Sequence, residues 1–259
     1  MKLPVYIVNA FSSEPFRGNP AAVCPLPEWL DESTMQSIAS QHNLSETAFI
    51  VADGKDYQIR WFTPAEEVPL CGHATLAAAE VIRRFLEPDC QGVGFLSMSG
   101  RLDVHFEQDR VCLNFPAMPA EVAISPGNLG KGLGLEPREV LVAEYYLAVL
   151  DSEAQVRALR PDMALLASLD RKAVIVTAPG DEVDFVSRFF APRLAVDEDP
   201  VTGSAHCTLV PYWASRLGKT SLRARQLSHR GGELFCQQIG DRVQIGGYAR
   251  LYLQGEIII

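Results

Sequence analysis

A chain of 259 residues, 47% apolar and 21% charged, has the make-up of an ordinary globular protein and the length for two domains of about 130 residues, which excludes a disordered chain. Its 23 basic and 32 acidic residues leave a formal charge of -9, which excludes nucleic acid as a partner, although one basic pocket could still take an anionic metabolite. Six cysteines without a C-x-x-C pair, and no apolar run near the ~18 residues of a membrane span, point to a reduced cytoplasmic protein with neither export nor membrane segment.

In chain order, residues 4–11 read as a first strand, and Arg17-Gly18-Asn19-Pro20 supplies turn chemistry before the apolar run from Ala21 to Cys24. A helix follows, with Asp31 as N-cap, Met35, Ile38, Ala39 and His42 at helical spacing, and Asn43 as a left-handed stop. Residues 44–51 and 58–62 read as strands. The run 76–82 is apolar on nearly every side, so it is expected as a helix enclosed by other structure. Alternation over 102–107 and 111–115 predicts a hairpin turning at Gln108-Asp109-Arg110, and the prolines and loop residues beyond it place a boundary near residue 116. Residues 127–134 carry four glycines and fit neither a P-loop nor a dinucleotide fingerprint, so they are expected to form a mobile loop. The last strand, 248–259, is expected to return to the first half.

A repeat organises the chain. Phe62-x-Pro64 followed by Pro69-x-x-Gly72 and a helix recurs as Phe190-x-Pro192 followed by Pro200-x-x-Gly203 and an apolar helix over 205–214. Two duplicated halves would each offer a helix N-terminus with unpaired N–H groups, and together these predict a site for an anion.

Three places could carry chemistry. Glu46 lies on a strand whose same-face neighbours by alternation are Leu44, Ala48 and Ile50; if that face is inward, burial would raise its pKa toward that of a general base, whereas an edge position would leave it a solvated glutamate. His73 follows Gly72 at a helix start, where the dipole is expected to keep the ring neutral. Asp199 and Ser204 lie in the equivalent loop of the second half, where Thr202 or Ser204 would cap the helix. Cys71 precedes a helix, which can activate a thiol, but its repeat partner is Thr202, so a small buried thiol is the plainer reading. The five histidines show no metal-binding spacing, and neither metal nor cofactor is expected.

The ordered motifs Phe16-Arg17-Gly18-Asn19-Pro20, Leu44-Ser45-Glu46-Thr47-Ala48-Phe49, Arg60-Trp61-Phe62-Thr63-Pro64, Leu70-Cys71-Gly72-His73-Ala74-Thr75 and Asp199-Pro200-Val201-Thr202-Gly203-Ser204 resemble the PhzF family nearly end to end. Gln226-Leu227-Ser228-His229-Arg230-Gly231-Gly232-Glu233 is similar to its MAWD-binding-protein-like branch. The resemblance implies an α+β fold of the diaminopimelate epimerase type, with two pseudosymmetric halves, 1–115 and 116–247, each wrapping a sheet around a central helix. It implies a site between the halves and a homodimer. It further implies a cofactor-independent isomerase acting on a small cyclic carboxylate, with Glu46 as general acid/base, His73 and Asp199 assisting, and Gly72, Gly203 and Ser204 binding substrate. Where diaminopimelate epimerase carries two catalytic cysteines, this chain has Cys71 and Thr202, which disfavours two-base racemisation. The alternatives are a two-base epimerase using Cys71 and a non-catalytic binding protein that kept the fold.

Overall fold

The computed structural model describes residues 1–259, which divide into two compact units: Met1–Asn114 with Gly246–Ile259, and Phe115–Ile245.

The first unit opens with strand β1 (Lys2–Ala10) paired antiparallel to β2 (Asn19–Leu26). Helix α1 (Glu32–His42) begins where Asp31 accepts a hydrogen bond from the Thr34 amide and stops at Asn43, whose φ of 50° is left-handed. It is the crossover that lets β3 (Glu46–Asp53) lie parallel to β2, since parallel neighbours cannot be joined by a tight turn. Strand β4 (Asp56–Phe62) returns antiparallel to β3, and the short β5 (Glu67–Val68) pairs with β4.

Helix α2 (Gly72–Val81) is the second crossover. Every residue except Gly72 is buried, as expected of a helix without a polar face, and its last turn loosens into one π-helical turn, Ile82–Leu86. Strand β6 (Gly92–Ser97) then lies parallel to β4, followed by the hairpin of β7 (Gly100–Glu107) and β8 (Arg110–Pro116). The sheet order is β1-β2-β3-β4-β6-β7-β8, and α2 packs against β1, β2 and β3. On the other side of β2 and β3, the apolar face of α1 (Met35, Ile38, Ala39) covers Ala22, Cys24, Phe49 and Phe62.

The second unit starts with β9 (Glu121–Val122), α3 (Gly127–Leu133), β10 (Glu139–Val142) and β11 (Tyr146–Val149). Helices α4 (Glu153–Ala158) and α5 (Met163–Ala167) are capped by the side chains of Ser152 and Asp162 and carry the chain to β12 (Val174–Pro179), parallel to β11. Strand β13 (Phe185–Phe190) leads into α6 (Gly203–Leu217), after which β14 (Ser221–Gln226) lies parallel to β13 and β15 (Gly232–Ile239) closes a hairpin. The sheet order is β15-β14-β13-β12-β11-β10-β9. The final strand, β16 (Arg242–Ile258), neighbours β15 at its start and pairs with β1 from Ala249 to Ile258.

Residues 127–134 are not the mobile loop their glycines predict. They form α3, closed by Gly134 at φ 79°, with Leu129, Gly130, Gly132 and Leu133 buried. The glycines serve close approach: a Cβ on Gly132 would stand 2.7 Å from a Leu166 methyl group of α5, and one on Gly130 would collide with Glu136.

Each unit therefore contains one strand–helix–strand crossover built on a buried apolar helix, β4–α2–β6 and β13–α6–β14, and each of these helices begins at one of the two repeated glycines.

Candidate active site

In the first unit the structure brings Glu46 and His73 together. Glu46 is the first residue of β3 and His73 the second of α2, and Glu46 Oε2 lies 3.1 Å from His73 Nε2. The His73 side chain is 7% exposed and that of Glu46 19%. Leu44, expected on the same face as Glu46, instead packs against the α1 cluster, because the strand and its alternation begin only at Glu46. On the other side of the ring, His73 Nδ1 lies 3.3 Å from Asn19 Nδ2 and 3.5 Å from Cys71 Sγ. Asn19 is fully buried at the start of β2. It is delivered there by Gly18, whose φ of 74° suits glycine and whose missing Cβ would stand 2.2 Å from the Ala10 carbonyl oxygen.

The electrostatics follow from this geometry. Burial alone would push the His73 imidazole down, but the negative charge available at Cys71 and Glu46 outweighs it and holds His73 well above the usual histidine range. The Cys71 thiol is itself pushed up, first by burial and then by Glu46, so it stays protonated at neutral pH and Glu46 is the charge that matters. The neutral ring expected from the helix dipole is thus corrected: a full carboxylate charge 3.1 Å away outweighs the partial charge of a helix end.

Glu46, Cys71 and His73 place a carboxylate, a thiol and an imidazole within 4.8 Å of one another, a zinc-type donor set. However, both ring nitrogens already face partners and the thiol keeps its proton, an arrangement better suited to moving protons than to binding a cation. A second such trio, His105, Glu107 and Cys112, shares Glu107 with the Arg110 guanidinium at 3.3 Å, which opposes a metal.

In the second unit, Asp199, Gly203 and Ser204 gather at the start of α6. Thr202 occupies the N-cap position without capping: its hydroxyl donates to Asp199 Oδ2 at 2.5 Å. Ser204 does not cap either; it is exposed in the first turn and hydrogen-bonds the Tyr145 phenol, which burial and Glu144 push up to about 12. The cap position of α2, Cys71, likewise offers no side-chain bond to the helix. Both helices therefore begin without a side chain on their first amides, which leaves donors and partial positive charge for a ligand.

The sequence reading gave no role to Asn19 or Gln226, both of which touch these clusters. Asn19 stood only inside the Gly18-Asn19-Pro20 turn, and Gln226 is far from Asp199 in sequence. Elsewhere, an open hollow of about 440 Å³ lined by Asn128, Tyr146 and Asp170 holds none of these residues, and Asp170 there is already bound by the Tyr146 hydroxyl at 2.7 Å.

The family model for phenazine biosynthesis-like proteins matches residues 8–127 and 134–255. The chain belongs to the PhzC-PhzF family. A relative from Pseudomonas aeruginosa, named an uncharacterized isomerase, is 55% identical over 259 residues, covering 99% of each chain. A crystal structure of a PhzF family phenazine biosynthesis protein from Enterococcus faecalis covers 100% of both chains at 46% identity and a TM-score of 0.98. A hydroxyproline epimerase from Agrobacterium vitis shares the fold at 10% identity and a TM-score of 0.60, covering 99% of this chain and 91% of its own. The diaminopimelate epimerase-like α+β fold that the motifs implied is therefore the fold of this family member. No helix is long and apolar enough to cross a membrane.

Proposed function

We propose that this protein is an isomerase that moves a proton within a small carboxylate substrate through a single base, Glu46. The observation that carries the reading is the Glu46–His73 pair at 3.1 Å, a half-buried carboxylate against a buried imidazole, beside the start of α2. Glu46, as carboxylate, takes a proton from a carbon of the substrate; the resulting acid returns it at a second carbon as the double bond shifts, so the atoms balance without a cofactor. The His73 cation beside it offsets the negative charge that develops on the substrate as the proton leaves. The uncapped start of α2, at Gly72, is proposed to take the carboxylate; within the second unit, Gly203 at the uncapped start of α6, Asp199 and Ser204 are proposed as substrate-binding residues. Isomerase and epimerase names among relatives and fold neighbours support the class of reaction.

A two-base mechanism through Cys71 fits less well. Its thiol is held protonated by burial, and the equivalent position in the second unit is Thr202.

The reading is tested by proton NMR of small cyclic carboxylates, including a dihydro-hydroxyanthranilate, incubated in D₂O with wild type and Glu46→Ala. Deuterium uptake or isomer formation by the wild type, reduced ~10²- to 10⁴-fold in the variant, is expected. Equal behaviour of the two proteins on a compound that exchanges would remove Glu46 from the chemistry.

A further inference from the structure

The segment that closes β14, Gln226-Leu227-Ser228-His229-Arg230-Gly231, is not used by the proton-transfer chemistry, yet its hydrogen bonds converge on the Asp199–Thr202 turn. Gln226 is 1% exposed and Thr202 8%. The Thr202 backbone N–H can only donate, so the Gln226 atom 2.9 Å from it is the carbonyl oxygen, Oε1. That fixes the amide: Nε2 donates to the Asp199 backbone carbonyl at 2.8 Å and to Thr202 Oγ1 at 3.2 Å. Having accepted there, the Thr202 hydroxyl directs its own proton to Asp199 Oδ2 at 2.5 Å. Ser228 repeats the logic one residue along: its Oγ accepts from the Gly231 N–H at 3.0 Å and donates to the Pro200 carbonyl at 2.7 Å. The turn is thus held at two successive carbonyls, one amide and one hydroxyl, and every donor direction follows from a backbone group that cannot reverse.

We infer that Gln226 is a positioning residue that acts through the Thr202 hydroxyl to hold the Asp199 side chain oriented as a hydrogen-bond-accepting carboxylate. The inference deepens the proposed function, in that it rests on Asp199 being a substrate contact; the hydrogen-bond relay itself does not depend on that role. Of the acidic neighbours in the same loop, Glu198 is neutralised by Arg188, which reaches its two oxygens at 2.7 and 2.9 Å, and Asp197 adds a like charge. The Thr202 hydroxyl donates to the Asp199 carboxylate, and a hydrogen bond to the charged form favours that form. A glutamine serves where a glutamate would not, because the position must accept from one group and donate to two.

The test needs no substrate. The Asp199 carboxyl carbon is followed through a pH titration by NMR of ¹³C-labelled protein and assigned by its absence in Asp199→Asn. Gln226→Met, close in length and without hydrogen bonds, and Thr202→Val are each expected to raise the titration midpoint by about one pH unit or more. Thr202→Ser, which restores the hydroxyl, is expected to titrate as the wild type. Because Gln226 acts through Thr202, the double variant should shift no further than Thr202→Val alone. A wild-type midpoint in folded Gln226→Met, or shifts that add in the double variant, would overturn the inference. If Gln226→Met does not fold, the Val and Ser variants at 202 still decide it: equal midpoints in those two remove the relay. Loss of deuterium exchange in Glu46→Ala with an intact relay, or the reverse, separates this inference from the reaction assigned above.

Discussion

The starts of α2 and α6 share one backbone device and diverge in chemistry. In each, the fourth residue after the cap position ties back to the cap carbonyl: Thr75 Oγ1 donates to the Cys71 oxygen at 2.5 Å, and His206 Nδ1 donates to the Thr202 oxygen at 2.8 Å. Neither cap side chain binds the helix amides. Around that common frame, the first unit sets a carboxylate, an imidazole and a thiol that can exchange protons, and the second sets neutral amides and hydroxyls that orient one carboxylate. The difference teaches that the repeated Pro-x-x-Gly turn specifies a helix start open to a ligand, while the residues approaching it from other strands decide what is done there.

Packing around the two helices differs as well, which gives the largest expected effects. α6 fills its unit with bulk: Leu209 is fully buried, and Trp213 stacks on Phe185 at 5.8 Å and donates to Thr177 at 2.9 Å. Leu209→Ala should therefore cost about 2–5 kcal/mol of stability in chemical denaturation. α2 is lined by Ala74, Ala77, Ala78 and Ala79, all fully buried, so its neighbours stand close and it has no room to grow. Ala77→Leu is expected to cost about 1–3 kcal/mol through overpacking. If Ala77→Leu were neutral, the contrast between a tightly enclosed helix and a bulk-filled one would fail.

A subtler contrast lies in the two buried histidines. Burial lowers His206 to about 4, so it stays neutral with its proton on Nδ1, whereas His73 is held above the ordinary value despite its burial. Ring ¹⁵N NMR should show His73 as imidazolium and His206 as the neutral Nδ1–H form at the same near-neutral pH. For His73, whose folded pKa is raised, the stabilising contribution is complete below about 6.5 and disappears as pH rises through the folded value. For His206, whose folded pKa is depressed, it is present above about 6.5 and is lost as pH falls toward 4. Two rings titrating together would contradict the electrostatic difference between the units.

Much of this was legible in the chain. The Asp31 and Asn43 caps of α1, the enclosed α2 and the β7–β8 hairpin follow from local patterns that dictate local geometry. The Phe-x-Pro and Pro-x-x-Gly repeat pointed to both helix starts, because glycine there serves the same backbone turn twice. What local pattern could not give was anything set by residues distant in sequence. The charge on His73 depends on Glu46 of β3, and the hydroxyl direction of Thr202 on Gln226, 24 residues away. The glycines of α3 misled for a related reason: they read as flexible until Leu166 and Glu136 are seen against them.

The measurement that bears most directly on the one-base mechanism compares Glu46→Gln with Cys71→Ser for deuterium incorporation into a substrate that the wild type exchanges in D₂O. The account predicts that Glu46→Gln loses ~10²- to 10⁴-fold while Cys71→Ser keeps the wild-type rate within a small factor. A Cys71→Ser variant as impaired as Glu46→Gln would contradict it and make the thiol a second base.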